Sequence, residues 1–250
     1  MAKRRTGDSE QSPNRLLAAL PVEDYRRVAA TLTSLPLKLK RILYKPGDVV
    51  DAVYFPGGGF VSVVTMLANG DMVEVATIGR EGVVGISAIN AGYREPSLTM
   101  VQMETEHCVK MPASAFRREM DRRGALFEIV TRFTHGLLGS SMQSTACNAV
   151  HLIEQRLARW LLTAHDRVGA DQFPLTQEFV AMMLGAARPT VTIVAGTLQR
   201  AGLITYKRGQ IVVRDRNALE KASCECYAVT TALMDRVPTG TASRTRGSGR

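Results

Sequence analysis

The sequence predicts an α+β fold, in which a β-rich segment is followed by a long helix and then by a compact, mainly helical segment. Turn signals recur about every ten residues between positions 45 and 82, which is the spacing that a sandwich or small barrel requires. An apolar stripe with helical spacing then runs through residues 126–142. Beyond it, short helical patterns give way to two β-branched runs within residues 175–213.

The β-rich segment is preceded by a helix that we expect over residues 14–34, because leucine and valine recur there among charged residues. The dipeptide Asn69-Gly70 is the sharpest hairpin signal, and it joins predicted strands at residues 60–67 and 72–78. Strand signals resume at residues 98–111 and then cease. We therefore expect these strands to form one β-domain, either a sandwich or a small barrel.

A helix of about 25 residues is expected after a break near Arg123-Gly124. A long helix that is apolar on one side and lies between two domains commonly pairs with its twin in a homodimer. The alternative is that it packs only on its own β-rich domain, and we favour the pairing. The expected stripe consists of Leu126, Ile129, Val130, Phe133, Leu137, Leu138 and Met142.

Residues 175–201 predict two helices joined by a tight turn. Thr176 is the expected N-cap of the first helix, which should end at Gly185. Arg188-Pro189 marks the start of the second, because a proline in the first helical turn sacrifices no intrahelical hydrogen bond. Such a pair is typical of a helix-turn-helix, whose second helix enters a DNA major groove. The apolar face expected on the second helix comprises Val191, Val194 and Leu198, with Ala195 and Ala201 beside them.

A basic hairpin is expected directly after these helices. Residues 203–206 and 210–213 are β-rich runs, and the intervening Lys207-Arg208-Gly209 places two cations at an exposed turn. This arrangement predicts a winged helix. Between residues 176 and 214 the basic side chains outnumber the acidic ones by four, which suits phosphate binding.

The charge of the whole chain points the same way. Its 32 lysines and arginines against 23 acidic residues give a formal net charge of +9, which favours a polyanionic partner. Residues 1–13 and 238–250 are too polar and basic to bury a core, so we expect disordered tails. We find neither a membrane-spanning run nor a signal-peptide core in the sequence, and we expect a cytoplasmic protein without a membrane partner.

The four cysteines, Cys108, Cys147, Cys224 and Cys226, are few and scattered in the sequence, and we interpret them as reduced thiols. Cys224-x-Cys226 lacks a second pair at suitable spacing, so no metal site is predicted. The sequence holds no Walker A run, HExxH motif or nucleophile elbow. We therefore expect no enzymatic activity.

Taken in order, several motifs resemble the Crp/Fnr family of bacterial transcription regulators over residues 14–220. They are KPGD at 45–48, YFPGGGFVSVV at 54–64, GREGVVG at 79–85, the long helix, IEQRLARWLL at 153–162, and LTQEFVAMMLGAARPTVTIVAGTLQRAGLI at 175–204.

The resemblance implies a β-roll sensor domain, like a cyclic-nucleotide-binding jelly roll, at residues 14–122. A dimerisation helix at 123–150 and a winged helix-turn-helix DNA-binding domain at 151–237 would follow. It also implies a homodimer that binds a palindromic operator in double-stranded DNA, with RNA polymerase as a further partner.

The resemblance assigns Arg188 the place of an arginine that reads guanine in the major groove, where a bidentate contact is the commonest specific one. Pro189 stands where the family often has glutamate, and Ile193 replaces another base-reading arginine, so the operator preference should differ from that of the cyclic-AMP receptor protein. The expected DNA contacts are Arg188, Pro189, Thr190, Thr192, Gln199 and Arg200 on the second helix, Thr176 and Gln177 on the first, and Lys207 and Arg208 on the wing.

The sensor motif departs further from the family. Its candidate pocket residues are Gly79, Glu81, Gly82, Gly85, Arg94 and Ser97. Pro96 occupies the place of the arginine that pairs the cyclic phosphate, with Arg94 two residues earlier. Without that cation a phosphate loses a charge-assisted pair, so we expect no cyclic-nucleotide cofactor.

Other sensors of this family hold an iron–sulfur cluster or haem. An iron–sulfur cluster needs closely grouped cysteines, usually near the N-terminus, and none precedes Cys108. Haem binding stays open, since one histidine suffices to hold the group. The candidate haem ligands are His107, His135, His151 and His165.

The sequence also leaves an alternative function open, which is a nucleotide-binding receptor module that signals through protein partners.

Overall fold

The structure, a computed structural model, describes residues 12–237. The predicted disordered tails therefore lie outside the described residues, except for Ser12 and Pro13. Ser12 is buried and accepts a hydrogen bond from the backbone of Asn14. Ser12, which the sequence assigns to a tail, therefore packs with the β-roll domain.

The first helical segment is shorter than expected. Helix α1 spans Arg15–Ala18, helix α2 spans Val22–Ala29, and strand β1 begins at Thr33. The prediction of one helix over residues 14–34 is wrong because Pro21 cannot donate to a continuing helix and disfavours helical backbone in the residue before it.

Two antiparallel sheets form the β-roll. One has the strand order β1-β7-β3 and the other β2-β6-β4-β5. The hairpin β4–β5 pairs Met66 with Met72 around Gly70, whose φ of 88° needs a glycine. The strands are β1 Thr33–Leu37, β2 Ile42–Tyr44, β3 Ala52–Pro56, β4 Phe60–Met66, β5 Met72–Ile78, β6 Leu98–Met103 and β7 Thr105–Pro112.

The long helix follows a short one. Helix α3 spans Ala113–Asp121 and helix α4 spans Ala125–Val150. The predicted single stripe on α4 is wrong, because it divides between two faces. Leu126, Ile129, Val130 and Phe133 are buried in the β-roll core, whereas Leu138 and Met142 are 58% and 66% exposed. The alternative of packing on its own domain therefore describes the first half of α4.

The C-terminal part is a helical core with a small sheet. Strand β8, which the sequence pattern missed, pairs with β10 of the hairpin, giving the order β8-β10-β9. Helix α9 packs back along α4. The elements are α5 Ile153–Val168, β8 Gln172–Pro174, α6 Gln177–Leu184, α7 Arg188–Arg200, β9 Ile204–Lys207, β10 Gln210–Val213, α8 Arg216–Ala222 and α9 Cys226–Asp235.

The two parts share a hydrophobic contact. Phe60 of β4 and Met103 of β6 join the core of the C-terminal part. There the Phe60 ring meets Trp160 of α5 edge-on at 6.1 Å between ring centroids. This architecture confirms the predicted α+β class.

No single helix among residues 12–237 is long and apolar enough to cross a membrane; α6 and α7 reach that length and apolarity only as a pair, which is bent by 102°.

Candidate nucleic-acid interface

Helix α6 begins and ends where the sequence predicts. The Thr176 hydroxyl oxygen accepts a hydrogen bond from the Phe179 backbone N–H at 3.2 Å, which satisfies one donor of the first turn. Gly185 ends the helix with a φ of 57°, in the left-handed region that glycine adopts without strain. This turn directs the chain into α7.

Helix α7 presents a polar face at its N-terminus. It starts at Arg188 with Pro189 in its first turn, as predicted. Val191, Val194, Ala195 and Leu198 are buried against the domain core, also as predicted. Ala201 is exposed because it lies beyond the last helical residue, so the expectation that it joins this face is wrong. The exposed side chains near the start of α7 are Arg188, Pro189, Thr190, Thr192 and Ile193.

Some of the expected DNA contacts also hold the motif together. Thr192 donates from its hydroxyl to Gln177 Oε1 at 3.2 Å, which joins the two helices. Gln199 Oε1 accepts from the Tyr206 backbone N–H at 2.7 Å, so this side chain fixes the wing on α7. The DNA contacts of Thr192, Gln177 and Gln199 stay predictions.

The wing is a tight hairpin with a cationic tip. Arg208 and Gly209 form its turn with φ values of 52° and 72°, as in a two-residue hairpin. Lys207 was expected in the turn but is the last residue of β9, where it pairs with Gln210. Both cations are exposed. They therefore lie at the tip of the hairpin, outside the domain core.

Tyr206 of strand β9 packs against the core of the C-terminal part and so connects the wing with that core. Burial raises its pKa to about 12, although the nearby Arg188 charge acts in the opposite direction. Its buried hydroxyl finds no hydrogen-bond partner among residues 12–237. The phenol is therefore neutral and adds no negative charge beside Arg188.

Residues 155–222 match the Crp-like helix-turn-helix domain. This part of the chain is a Crp-like helix-turn-helix domain. The match confirms the resemblance seen in the sequence over these residues, and no curated protein matches the sequence.

Solved structures share the fold. A CRP-family transcriptional regulator from Thermus thermophilus has a TM-score of 0.63 at 20% identity, over 75% of this chain and 95% of that one. FixK2 from Bradyrhizobium japonicum has a TM-score of 0.65 at 18% identity, over 77% and 98%. CLP from Xanthomonas campestris, described as a c-di-GMP responsive global regulator, has a TM-score of 0.61 at 14% identity, over 78% and 100%.

The loop that carries the candidate pocket residues Gly79, Glu81 and Gly82 is held by contacts within the chain. Glu81 is buried and accepts from the backbone N–H of Gly79 at 3.0 Å and from Arg167 Nε of α5 at 2.9 Å. Burial alone would raise the Glu81 pKa, but the Arg167 charge and these hydrogen bonds hold the pKa below its ordinary value. Arg167 was not among the predicted site residues, because nothing in its local sequence indicates a partner 86 positions away.

The other predicted pocket residues make hydrogen bonds or turns of their own, apart from the Arg167–Glu81 pair. The Gly82 backbone N–H donates to Gly79 at 3.1 Å, so it is not free to bind an anion. Arg94 donates to the Gly47 carbonyl at 2.7 Å, and the Ser97 hydroxyl donates to Glu95. Gly85 caps a 3-10 turn at Ile86–Ile89 with a φ of 86°. A ligand role for these residues stays a prediction.

A cavity of about 430 Å³ lies between the β-roll and the C-terminal helical part. Glu81 lines it together with Glu74, Arg159, Trp160 and Arg167. Glu74 accepts from Trp160 Nε1 at 3.1 Å and from the Ser62 hydroxyl. Burial raises the Glu74 pKa to about 8, against the effect of these two hydrogen bonds. The cavity thus holds a carboxyl group whose pKa lies well above the ordinary value for glutamate.

The cysteines are less scattered than the sequence indicates. Cys147, Cys224 and Cys226 form a buried cluster beside His151, while Cys108 lies in the β-roll core. The missed signal is Cys147-x3-His151, since a spacing of four places both residues on one side of a helix. These residues offer a donor set for a metal.

The histidines that left haem open lie in different surroundings. His107 and His135 are exposed, and His165 Nε2 lies 2.8 Å from Asp171 Oδ1. His151 belongs to the cysteine cluster. Haem binding at any of them stays a prediction.

Proposed function

We propose that this protein is a sequence-specific transcription regulator that binds a palindromic operator as a homodimer. The observation that carries the proposal is the exposed N-terminal face of α7, which begins with Arg188 and lies next to a cationic wing. A helix presented in this way fits the major groove, and the wing cations fit the flanking phosphates.

Arg188 is the residue we assign to base reading. Its side chain is exposed at the first position of α7, where a guanidinium reaches the groove floor and can donate twice to guanine. Ile193 is 66% exposed on the same helix, and an apolar side chain there favours a thymine methyl group over a hydrogen-bonding base edge. The operator therefore differs from one read by two arginines.

The dimer would form along α4. Its first half is covered by the β-roll, and α9 packs on another face, where Leu233 meets Gly136 and Gly139. The remaining face exposes His135, Leu138, Met142 and Thr145. Their spacing of three and four residues is that of a coiled-coil seam. A second copy of the chain would bury this face and would place two α7 helices about 34 Å apart.

The DNA assignment is tested by a gel-shift assay on upstream DNA recovered by genome-wide footprinting. Arg188→Ala should weaken binding to the best site by about 1–3 kcal/mol and relax the preference at one base pair of each half-site. Arg26→Ala, on the exposed face of α2, is the control and should bind like the unchanged chain. Equal affinity of the unchanged chain for all sequences would refute specific recognition.

The dimer is tested by light scattering after size exclusion. Leu138→Glu combined with Met142→Glu places like charges on both sides of the seam and should yield monomers. Val22→Glu changes a side chain that is 64% exposed on α2 and should leave the dimer intact. A double variant that remains dimeric at micromolar concentration would place the interface elsewhere.

The sensor part responds to an effector outside the cyclic-nucleotide class, or to none. In support, Arg167 already neutralises Glu81 within the chain. A thermal-shift screen with cyclic AMP, cyclic GMP and c-di-GMP should show no stabilisation, and a large shift with any of them would contradict this part of the proposal. An effector can switch the protein only if it binds two arrangements of the dimer with different affinities.

We also propose RNA polymerase as a partner, and footprints that lie beside promoters would support this contact.

A further inference from the structure

Three cysteines and one histidine meet where the long helix ends. Cys147 lies in the last turn of α4, and His151 is its C-terminal cap. Cys224 lies just before α9 and Cys226 is the first residue of α9. The four ligand atoms all lie within 4.8 Å of one another. The fold thus places the thiol groups of Cys147 and Cys224, which are 77 residues apart in the sequence, next to each other.

Two of the distances between the ligand atoms match the edges of a tetrahedron around a metal ion, and the other distances are at most 4.8 Å. Metal–sulfur bonds of about 2.3 Å and a metal–nitrogen bond of about 2.0 Å place two sulfurs about 3.8 Å apart and a sulfur and a nitrogen about 3.5 Å apart. The Sγ atoms of Cys147 and Cys224 are 3.5 Å apart. Cys226 Sγ lies 3.6 Å from His151 Nδ1. Both measured edges lie within a few tenths of an ångström of the expected ones.

We infer that Cys147, His151, Cys224 and Cys226 bind one Zn²⁺ ion. Three soft thiolates with one imidazole are a donor set of structural zinc, which is four-coordinate and tetrahedral. On binding, the three thiols release three protons to solvent, and the histidine coordinates as the neutral ring. The loaded site carries a net charge of −1.

The surroundings suit such a site. His151 Nε2 lies 3.2 Å from the Glu225 carboxylate, a second contact that directs Nδ1 toward the ion. Gln143 Nε2 donates to Cys226 Sγ at 3.1 Å, which stabilises a thiolate more than a thiol. Arg156 and Arg159 of α5 act electrostatically on Cys147, and their charges oppose the net negative charge of the site.

A disulfide accounts for less of this arrangement. A bond between Cys147 and Cys224 requires a sulfur separation of about 2.05 Å, whereas the observed separation is 3.5 Å. A disulfide would also leave the third cysteine and the histidine without a role. Zinc uses all four groups.

The ion would fasten the start of α9 to the end of α4. Helix α5 of the DNA-binding domain begins two residues after His151. The site therefore lies at the junction between the long helix and the DNA-binding domain, and it is separate from the surface we assign to DNA.

The test measures zinc in the full chain, purified under a thiol reductant without a metal-affinity tag. Mass spectrometry of the elements should find about one zinc per chain. Cys224→Ser and Cys226→Ser should each reduce this at least tenfold. Cys108→Ser is the matched control, because Cys108 is equally buried but lies in the β-roll core, and it should retain the zinc.

A second measurement does not depend on how the variants fold. After a chelator removes the zinc from the unchanged chain, Co²⁺ should restore a tetrahedral site with a strong thiolate-to-cobalt absorption band. The proposal is overturned by less than a tenth of a zinc per chain together with no such band. It is also overturned if the chain purified under the reductant still holds a disulfide between Cys147 and Cys224 in place of zinc, or if Cys108→Ser loses zinc equally.

Discussion

Arg167 of α5 donates to Glu81 of the sensor loop at 2.9 Å, with only 12% and 9% of the two side chains exposed. The same guanidinium donates to the hydroxyl and the carbonyl oxygen of Thr77. One side chain of the DNA-binding part thus satisfies the loop that the family resemblance assigns to a ligand. The pair ties the β-roll and the C-terminal part of one chain together.

Removing the arginine should destabilise the protein strongly. Arg167→Met leaves the Glu81 carboxylate buried without its partner, and we expect a loss of about 3 kcal/mol in the free energy of unfolding. Adding Glu81→Gln should recover part of the loss, because the uncompensated charge is gone. Urea unfolding of the two single variants and the double variant, at one fixed protein concentration, measures the coupling. Additive losses would show that the pair contributes no interaction of its own.

The pair also has a definite pH dependence. The folded-state pKa of Glu81 is below the ordinary value of 4.5, so its contribution to stability is present above that value and is lost as the pH falls through the folded pKa. The stability difference between the unchanged chain and Arg167→Met should therefore shrink in acid. A difference that stays constant from pH 7 to pH 3 would contradict this assignment.

Glu74 should act in the opposite direction. Its folded-state pKa of about 8, against an ordinary 4.5, means that the folded chain holds a proton that the unfolded chain releases. Stability is therefore lost as the pH rises through this window. Glu74→Gln cannot lose a proton, and because the side chain is only half-buried we expect a gain of about 1–2 kcal/mol at pH 8.

Thermal unfolding of Glu74→Gln between pH 5 and pH 9 measures this gain. The unchanged chain and the variant should unfold at similar temperatures near pH 5 and diverge toward pH 9. Glu104→Gln removes an exposed carboxylate of the β-roll and serves as the control, with no comparable divergence. Parallel profiles of Glu74→Gln and the unchanged chain would show that Glu74 is ionised in the folded protein.

The wing and the recognition helix should differ in their salt dependence. Lys207→Gln with Arg208→Asn removes two cations, and asparagine tolerates the left-handed backbone at position 208. Binding should weaken equally for all sequences, and the slope of log K against log salt should fall by about one unit for each phosphate that is no longer neutralised. Titrations at several salt concentrations on operator and random DNA check this; weakening confined to the operator would assign the wing to base reading.

The helix-turn-helix could be predicted closely because its signals are local. Thr176, Gly185 and Pro189 act on their own helix ends, and the structure places them where the sequence does. Contacts between distant segments left no such signal. The Arg167–Glu81 pair and the meeting of Cys147 with Cys224 depend on how whole elements pack. The prediction of a single apolar stripe on α4 was wrong for a related reason. The elements that pack on α4 change along its length, so apolar residues of one periodic pattern lie on two different faces.

A substitution at Gly82 distinguishes a packing role of this glycine from a role in binding a ligand. A Cβ at this position would lie 2.5 Å from the Phe133 ring and 2.7 Å from Ile78, and the Phe133 side chain is fully buried. Gly82→Ala should therefore destabilise the chain by about 1–3 kcal/mol without any ligand present. Combining it with Phe133→Leu should recover part of this loss, because the smaller side chain opens the contact.

Gly196→Ala is the matched control for Gly82→Ala. It lies inside α7, where the nearest atom to an added Cβ is the end of the flexible Arg200 side chain at 3.4 Å. Alanine there should stabilise the helix by up to about 1 kcal/mol. Urea unfolding of both variants and of the unchanged chain measures these changes in stability. If Gly82→Ala unfolds like the unchanged chain, the contact with Phe133 relaxes freely, and the glycine is then required for something other than packing.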